Sequence, residues 1–248
     1  MPNFFFLAAI CLLVATSILV ETDASPKPNK NKKLEKGPSS AGNAESTPAL
    51  QLTPENRWDS AARHKELLFI DDNPLIVQST GEKNDCRSVR AKLPIPESGI
   101  FYYEVTILEK GEHNGIFIGL GTKETPSDKK SVGQSEGTYA YSNRGSFWGH
   151  EVKDCSHCNK GRPLITGNLK FNRNDVIGCG VDWAKSQIIY TLNKELLKTT
   201  DLKVDSAADL YPCVSLFHSG AKIEANFGKK KFIFDIAKAF KTEKRGDL

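Results

Sequence analysis

The chain has 248 residues, 34 Lys and Arg against 30 Asp and Glu, a net charge of +4, 39% hydrophobic residues and 9% aromatic ones. So mild a balance gives no ground for nucleic-acid binding, and the apolar content is too high for a chain disordered throughout. The length fits one large domain with tails. The first element is an apolar run from Phe4 to Val20, followed by Glu21-Thr22-Asp23-Ala24. Thr22 and Ala24 put small residues at the −3 and −1 positions of a cleavage site, so residues 1–24 read as a secretory signal peptide, although Met1-Pro2-Asn3 carries no Lys or Arg. A membrane anchor is the alternative. The run is at the short limit for a span, and Lys27, Lys30, Lys32, Lys33 and Lys36 follow it closely. Residues 25–55 are rich in Pro, Lys, Ser, Asn and Gly, with Leu34, Leu50 and Leu52 as their large aliphatics and no aromatic. Such a segment cannot offset the entropy of ordering its backbone and reads as a disordered linker.

The domain is expected over residues 56–228. Leu67 to Ile70 precede an Asp-Asp-Asn-Pro turn signal, and Leu75, Val77 and the segment from Cys86 to Pro96 carry further short strands. Phe101, Tyr103, Val105 and Ile107 alternate with Tyr102, Glu104 and Thr106; after a Gly115 turn, Ile116, Ile118 and Leu120 share one face. Segments Gly137–Tyr141 and Gly145–Gly149 follow. Ile177, Cys179, Val181 and Trp183 alternate with Gly178, Gly180 and Asp182, and Ile188, Tyr190 and Leu192 resume the same period after Ala184-Lys185-Ser186. Two last strands lie around Val214 and from Ile223 to Phe227, joined by His218-Ser219-Gly220. Many short alternating strands separated by turns predict an all-β antiparallel sandwich. Residues 229–248 form a basic extension whose Phe232, Phe234, Ile236, Ala237 and Phe240 are placed to pack a strand or short helix on the domain.

In order and spacing, FYYEVTI, IFIGLGT, GTYAYSNRGSFWG, VIGCGVDW, IYTLN, LYPCVSL and IEANFG resemble the strands of a SPRY domain of the Ran-binding protein M type. Joined to a signal peptide and a lysine-rich linker, they are similar to the secreted SPRY effectors (SPRYSEC) of plant-parasitic cyst nematodes. The resemblance implies a secreted, monomeric, non-enzymatic protein acting in the host cytoplasm and nucleus. It implies host-protein partners, among them immune receptors or ubiquitin-pathway components, and no cofactor, nucleic acid or membrane. Carried over strand by strand from the SPRY and SOCS-box proteins, it implies protein binding by Asp72, Asn73 and Pro74 on one loop, Tyr141 on a second, and Phe217, His218 and Ser219 on a third. Asp72 stands where that family has a basic residue and His218 where it has Trp, and no SOCS box or RING follows. The hairpin turn after the IYT strand also departs from the family's Lys-Asn-Gly. Asn193-Lys194 puts Lys where a type I′ turn needs positive φ, which predicts a strained or replaced turn.

Cleavage after Ala24 would leave Cys86, Cys155, Cys158, Cys179 and Cys213. An odd number argues against a disulfide framework and suits a reducing destination. His150, Cys155, His157 and Cys158 have ligand types for zinc, and Cys155-x-x-Cys158 could be a redox pair; without a second spaced pair, a polar loop with no metal is the expectation. No G-x-S-x-G nucleophile elbow is expected, and no H-E-x-x-H, Walker loop or G-x-G-x-x-G occurs. An extracellular carbohydrate-binding sandwich and a membrane-anchored surface protein are the rival functions.

Overall fold

Alternation of apolar residues produces two antiparallel sheets packed face to face. The computed structural model describes residues 49–242 apart from 82–84, 114, 126–129, 150–157, 160–161, 200–201 and 205–208. The signal peptide and nearly all of the linker expected from the sequence therefore lie outside the described residues, as do His150, Cys155 and His157. Strands are numbered along the chain. The first sheet runs β14 (Glu195–Leu196), β13 (Gln187–Leu192), β12 (Val176–Asp182), β6 (Ile100–Glu109), β16 (Lys222–Asn226), β4 (Asn73–Ser79), β3 (Leu67–Ile70). The second runs β10 (Cys158–Asn159), β11 (Arg162–Ile165), β9 (Ser146–Trp148), β8 (Tyr139–Ser142), β7 (Ile116–Gly121), β15 (Tyr211–Leu216), β5 (Arg87–Ala91), β2 (Trp58–Arg63).

The core lies between the sheets and uses the predicted alternate residues. Phe101, Tyr103, Val105 and Ile107 of β6 face Ile116, Ile118 and Leu120 of β7, with Cys179, Tyr190, Val214 and Ile223 among them. The Tyr103 hydroxyl bridges the sheets by donating to the Gly119 carbonyl at 2.7 Å.

One feature departs from expectation, and two more bear on the C-terminal extension and the Asn193 turn read from the sequence. Leu50–Gln51, within the expected linker, forms β1 and pairs in parallel with Ile100–Phe101, the part of β6 that β16 does not reach. The outer face of β6 is also buried. A C-terminal strap ending in helix α1 (Ile236–Thr242) lays Phe232, Phe234, Ile236 and Phe240 over Ile100, Tyr102 and Ile189. Gly178 is required beneath this layer, because a Cβ there would sit 1.9 Å from the Tyr102 hydroxyl and 2.3 Å from that of Thr191. Lastly, the Asn193-Lys194 turn abandons type I′. Asn193 takes φ +56° while Lys194 does not take positive φ. The Asn193 side chain fixes the turn by accepting from Val176 N at 2.9 Å and donating to Asp175 Oδ1 at 3.0 Å.

Candidate functional site

Four connections meet at one end of the sandwich, and one buried cation joins three of them. Arg87 opens β5 and is fully buried. Its Nε donates to Glu66 Oε2 at 2.7 Å, on the β2–β3 connection. Its Nη1 donates to the carbonyls of Asp85, on the β4–β5 connection, and of Phe217, on the β15–β16 connection, each at 2.9 Å. The guanidinium holds the Glu66 carboxyl below the usual carboxylate value, chiefly through this hydrogen bond. Backbone bonds complete the joint: Thr80 N donates to Glu66 O, Gly220 N to Ser79 O, and Phe217 N to Gly115 O, which brings in the β6–β7 connection. The resulting rim exposes Thr80, Asp85, Glu112, His113 and Ser219, with Phe217 and His218 half-buried. His113 and His218 meet edge to face, their ring centroids 5.1 Å apart. Phe217 packs on Phe117 at 5.6 Å and is anchored rather than offered freely.

This geometry divides the residues carried over from sequence. Phe217, His218 and Ser219 lie on the rim. Asp72, Asn73 and Pro74 do not: they lie at the far end of β4, whose Ser79 end joins the rim, and six residues of strand span about 20 Å. Asp71 and Asp72, both at φ +53°, form the tight β3–β4 hairpin turn, and Asn73 Oδ1 accepts from Leu75 N at 3.0 Å. Tyr141 requires a correction. It is a β8 core residue, fully buried against Phe147, Phe171 and Tyr190, and its hydroxyl donates to the Leu169 carbonyl. An aromatic ring in the middle of an alternating strand is drawn inward by the area it removes from water. Glu66, Arg87 and His113 were missed. Arg87 reads only as a basic residue in a strand until Glu66 and Phe217, 21 and 130 residues away, converge on it.

The zinc reading has no support here, and one enzyme motif needs a correction. Among the described residues no cluster of three His, Cys, Asp or Glu side chains could hold a metal ion. Gly133-Gln134-Ser135-Glu136-Gly137 spells the G-x-S-x-G of a hydrolase elbow, but it lies in turns between β7 and β8 rather than at a strand-to-helix junction. The Ser135 hydroxyl has no hydrogen-bond partner among the described residues, so no base activates it there. Cys179 and Cys213 are buried free thiols, and burial pushes the Cys213 thiol up to about 12.

The family model for the SPRY domain matches residues 100–230. Ran-binding protein 9 of Homo sapiens is 35% identical over 190 residues, 75% of this chain and 24% of that protein. Ran-binding protein 10 of Danio rerio is 34% identical over 188 residues, 74% of this chain and 29% of that protein. The chain thus spans about a quarter to a third of the length of the vertebrate relatives it matches. Among solved structures, the SPRY domain of human HERC1 superposes with a TM-score of 0.52 at 20% identity, covering 70% of this chain and 99% of that one.

Proposed function

The chain belongs to the SPRY domain family, a protein-interaction fold, and on that premise we propose that it is a secreted effector that binds a host protein through the Arg87-braced rim. The observation that carries this reading is the rim itself. One buried guanidinium braces connections from distant parts of the chain, and exposed polar groups and a histidine pair project above them. Preorganised loops avoid the entropy of ordering on association, and they surround half-buried aromatic area with directional hydrogen-bonding groups. Delivery outside the producing cell is supported by the apolar run ahead of Thr22-x-Ala24, and action in a reducing host cytosol or nucleus by the buried thiols of Cys179 and Cys213. A role in host immunity rests on the resemblance to secreted nematode effectors.

The test has two arms. Secreted material should begin at or near Ser25 by N-terminal sequencing; intact Met1 in a membrane fraction would overturn secretion. A host protein captured from plant extract by the wild-type chain should lose about 30-fold in affinity for the double variant His113→Ala, His218→Ala, with an unchanged melt. Undiminished affinity in a folded double variant would move the binding surface off the rim.

A further inference from the structure

A second concave feature lies away from the rim, on the outer face of the second sheet, and its origin is a defect in strand pairing. Trp58 of β2 pairs with Ala91 of β5, and Arg63 pairs with Val89. Five steps along β2 therefore oppose two steps along β5, and residues 59–62 bow outward. Asp59 supports the bow, its Oδ1 accepting from Ala61 N at 3.0 Å. The space so opened is a cleft of about 280 Å³ lined by Ala61, Ala62, Arg90, Lys123, Thr125 and Cys213, with Ser88 and Val89. Small-molecule sites usually exceed about 300 Å³, so this cleft suits a single functional group rather than a cofactor.

Two cations line it, one of them in a long ion pair with Asp59. The Arg90 side chain is only 15% exposed, and its guanidinium lies over the Tyr211 ring at 4.4 Å. It has five N–H donors. One of its nitrogens, Nη1, donates to the Ala91 carbonyl at 3.2 Å. Asp59 Oδ2 pairs with it at 3.9 Å from Nη2, a distance too long for a hydrogen bond, so an oxyanion at hydrogen-bond distance would be the closer partner. Across the cleft stands Lys123, on the turn closed by Thr125 N donating to Thr122 O, and it has no ion pair or hydrogen bond among the described residues. Thr125 also lines the cleft, its buried hydroxyl having no partner among the described residues. A guanidinium held by an aromatic face and a second cation across the cleft have the chemistry to receive an oxyanion.

We propose that the β2–β5 cleft binds an oxyanion, a carboxylate or phosphate group of side-chain size, with Arg90 as its fixed donor and Lys123 as its second charge. The proposal is independent of the rim. Its test is a ¹H–¹⁵N NMR titration of the full chain with sodium phosphate and, separately, sodium acetate, ionic strength being held constant with chloride. Saturable shifts should concentrate on the amides of Ala61, Ala62, Arg90, Lys123 and Thr125, and the arm that saturates at lower concentration identifies the oxyanion. Lys123→Glu, at an exposed position, should weaken that binding about tenfold. Arg90→Gln should abolish it; should that variant fail to fold, the Lys123 variant decides. No saturable shift with either anion overturns the proposal. Shifts spread over the lysines of residues 229–241, or binding unchanged in Lys123→Glu, overturn it as well.

Discussion

Replacing Glu104 should unlatch the C-terminal strap, and the size of the effect follows from its hydrogen bonds. Glu104 is 3% exposed on the outer face of β6. Its carboxylate accepts from Ile233 N at 2.9 Å, Phe234 N at 3.0 Å and the Tyr102 hydroxyl at 3.2 Å. Glu104→Ala leaves two strap N–H groups without an acceptor, at about 1–3 kcal/mol each, offset in part by removing a desolvated charge. A net loss of about 2–4 kcal/mol is expected; Glu104→Gln, which can still satisfy one N–H, should lose about 1–2 kcal/mol. Lys229, Lys230 and Lys231 at the root of the strap make limited trypsinolysis the assay. If the strap opens locally, 2 kcal/mol raises the cleavage rate there about 30-fold while the sandwich stays intact. Burial holds the Glu104 carboxyl above its ordinary value, against the pull of its hydrogen-bond donors. Its stabilising contribution is therefore full below the ordinary carboxylate value and is lost as pH rises through the folded-state value. The advantage of the wild type over Glu104→Gln should be larger in acid than at neutral pH. Unchanged proteolysis and denaturation in Glu104→Ala would show that the apolar contacts alone hold the strap, and would refute the reasoning.

Two further outcomes follow from the rim and the core. Glu66 has the opposite sign: its carboxyl is depressed by Arg87, so its contribution is present above the ordinary carboxylate value and lost as pH falls through the folded-state value. Thermal melts of Glu66→Gln and wild type should therefore converge on acidification, and a constant gap would show that the pair contributes nothing electrostatic. Tyr141→Ala should destabilise the fold by about 3–5 kcal/mol in denaturant titration, as expected of a core aromatic and not of a surface contact, whereas a loss below 1 kcal/mol would contradict its burial.

Much of the sandwich is legible in the sequence because its inner faces obey a strict period of two. β6, β7, β12, β13, β15 and β16 fall where alternation places them, since a slip of one residue would turn each apolar set to solvent. The outer faces are not legible in this way. Tyr102 and Glu104 occupy the positions that alternation assigns to water, and what buries them is a strap about 130 residues further along the chain. Periodicity reports the face a strand turns inward; it does not report what later folds over the other face. Tyr141 misleads for a different reason. The segment Gly137–Tyr141 reads as a strand, and only the carry-over from the SPRY and SOCS-box proteins sets Tyr141 on a loop, whereas it is a buried residue of β8.

The division of the expected binding residues comes from parity. Along an antiparallel sheet, successive connections alternate between its two ends. The turn at Asp71-Asp72 precedes β4 and the segment from Thr80 to Cys86 follows it, so only one of the two can share an end with the loop entering β16. The pairing of Glu224 with Ile76 and of Lys222 with Gln78 decides which, because it runs β16 away from Ser79 toward Asn73. His218 and Ser219 therefore join the connection after β4, and Asp72 is excluded by topology whatever its chemistry. A strong local turn signal carries no information about which end of a sandwich it occupies; that information lies in the pairing of strands some 145 residues apart. Arg87 marks the outcome of that pairing. A guanidinium removed from water needs several fixed acceptors; the Asp85 carbonyl is local, and the other two join it only when Glu66 and Phe217 have been brought to the same end.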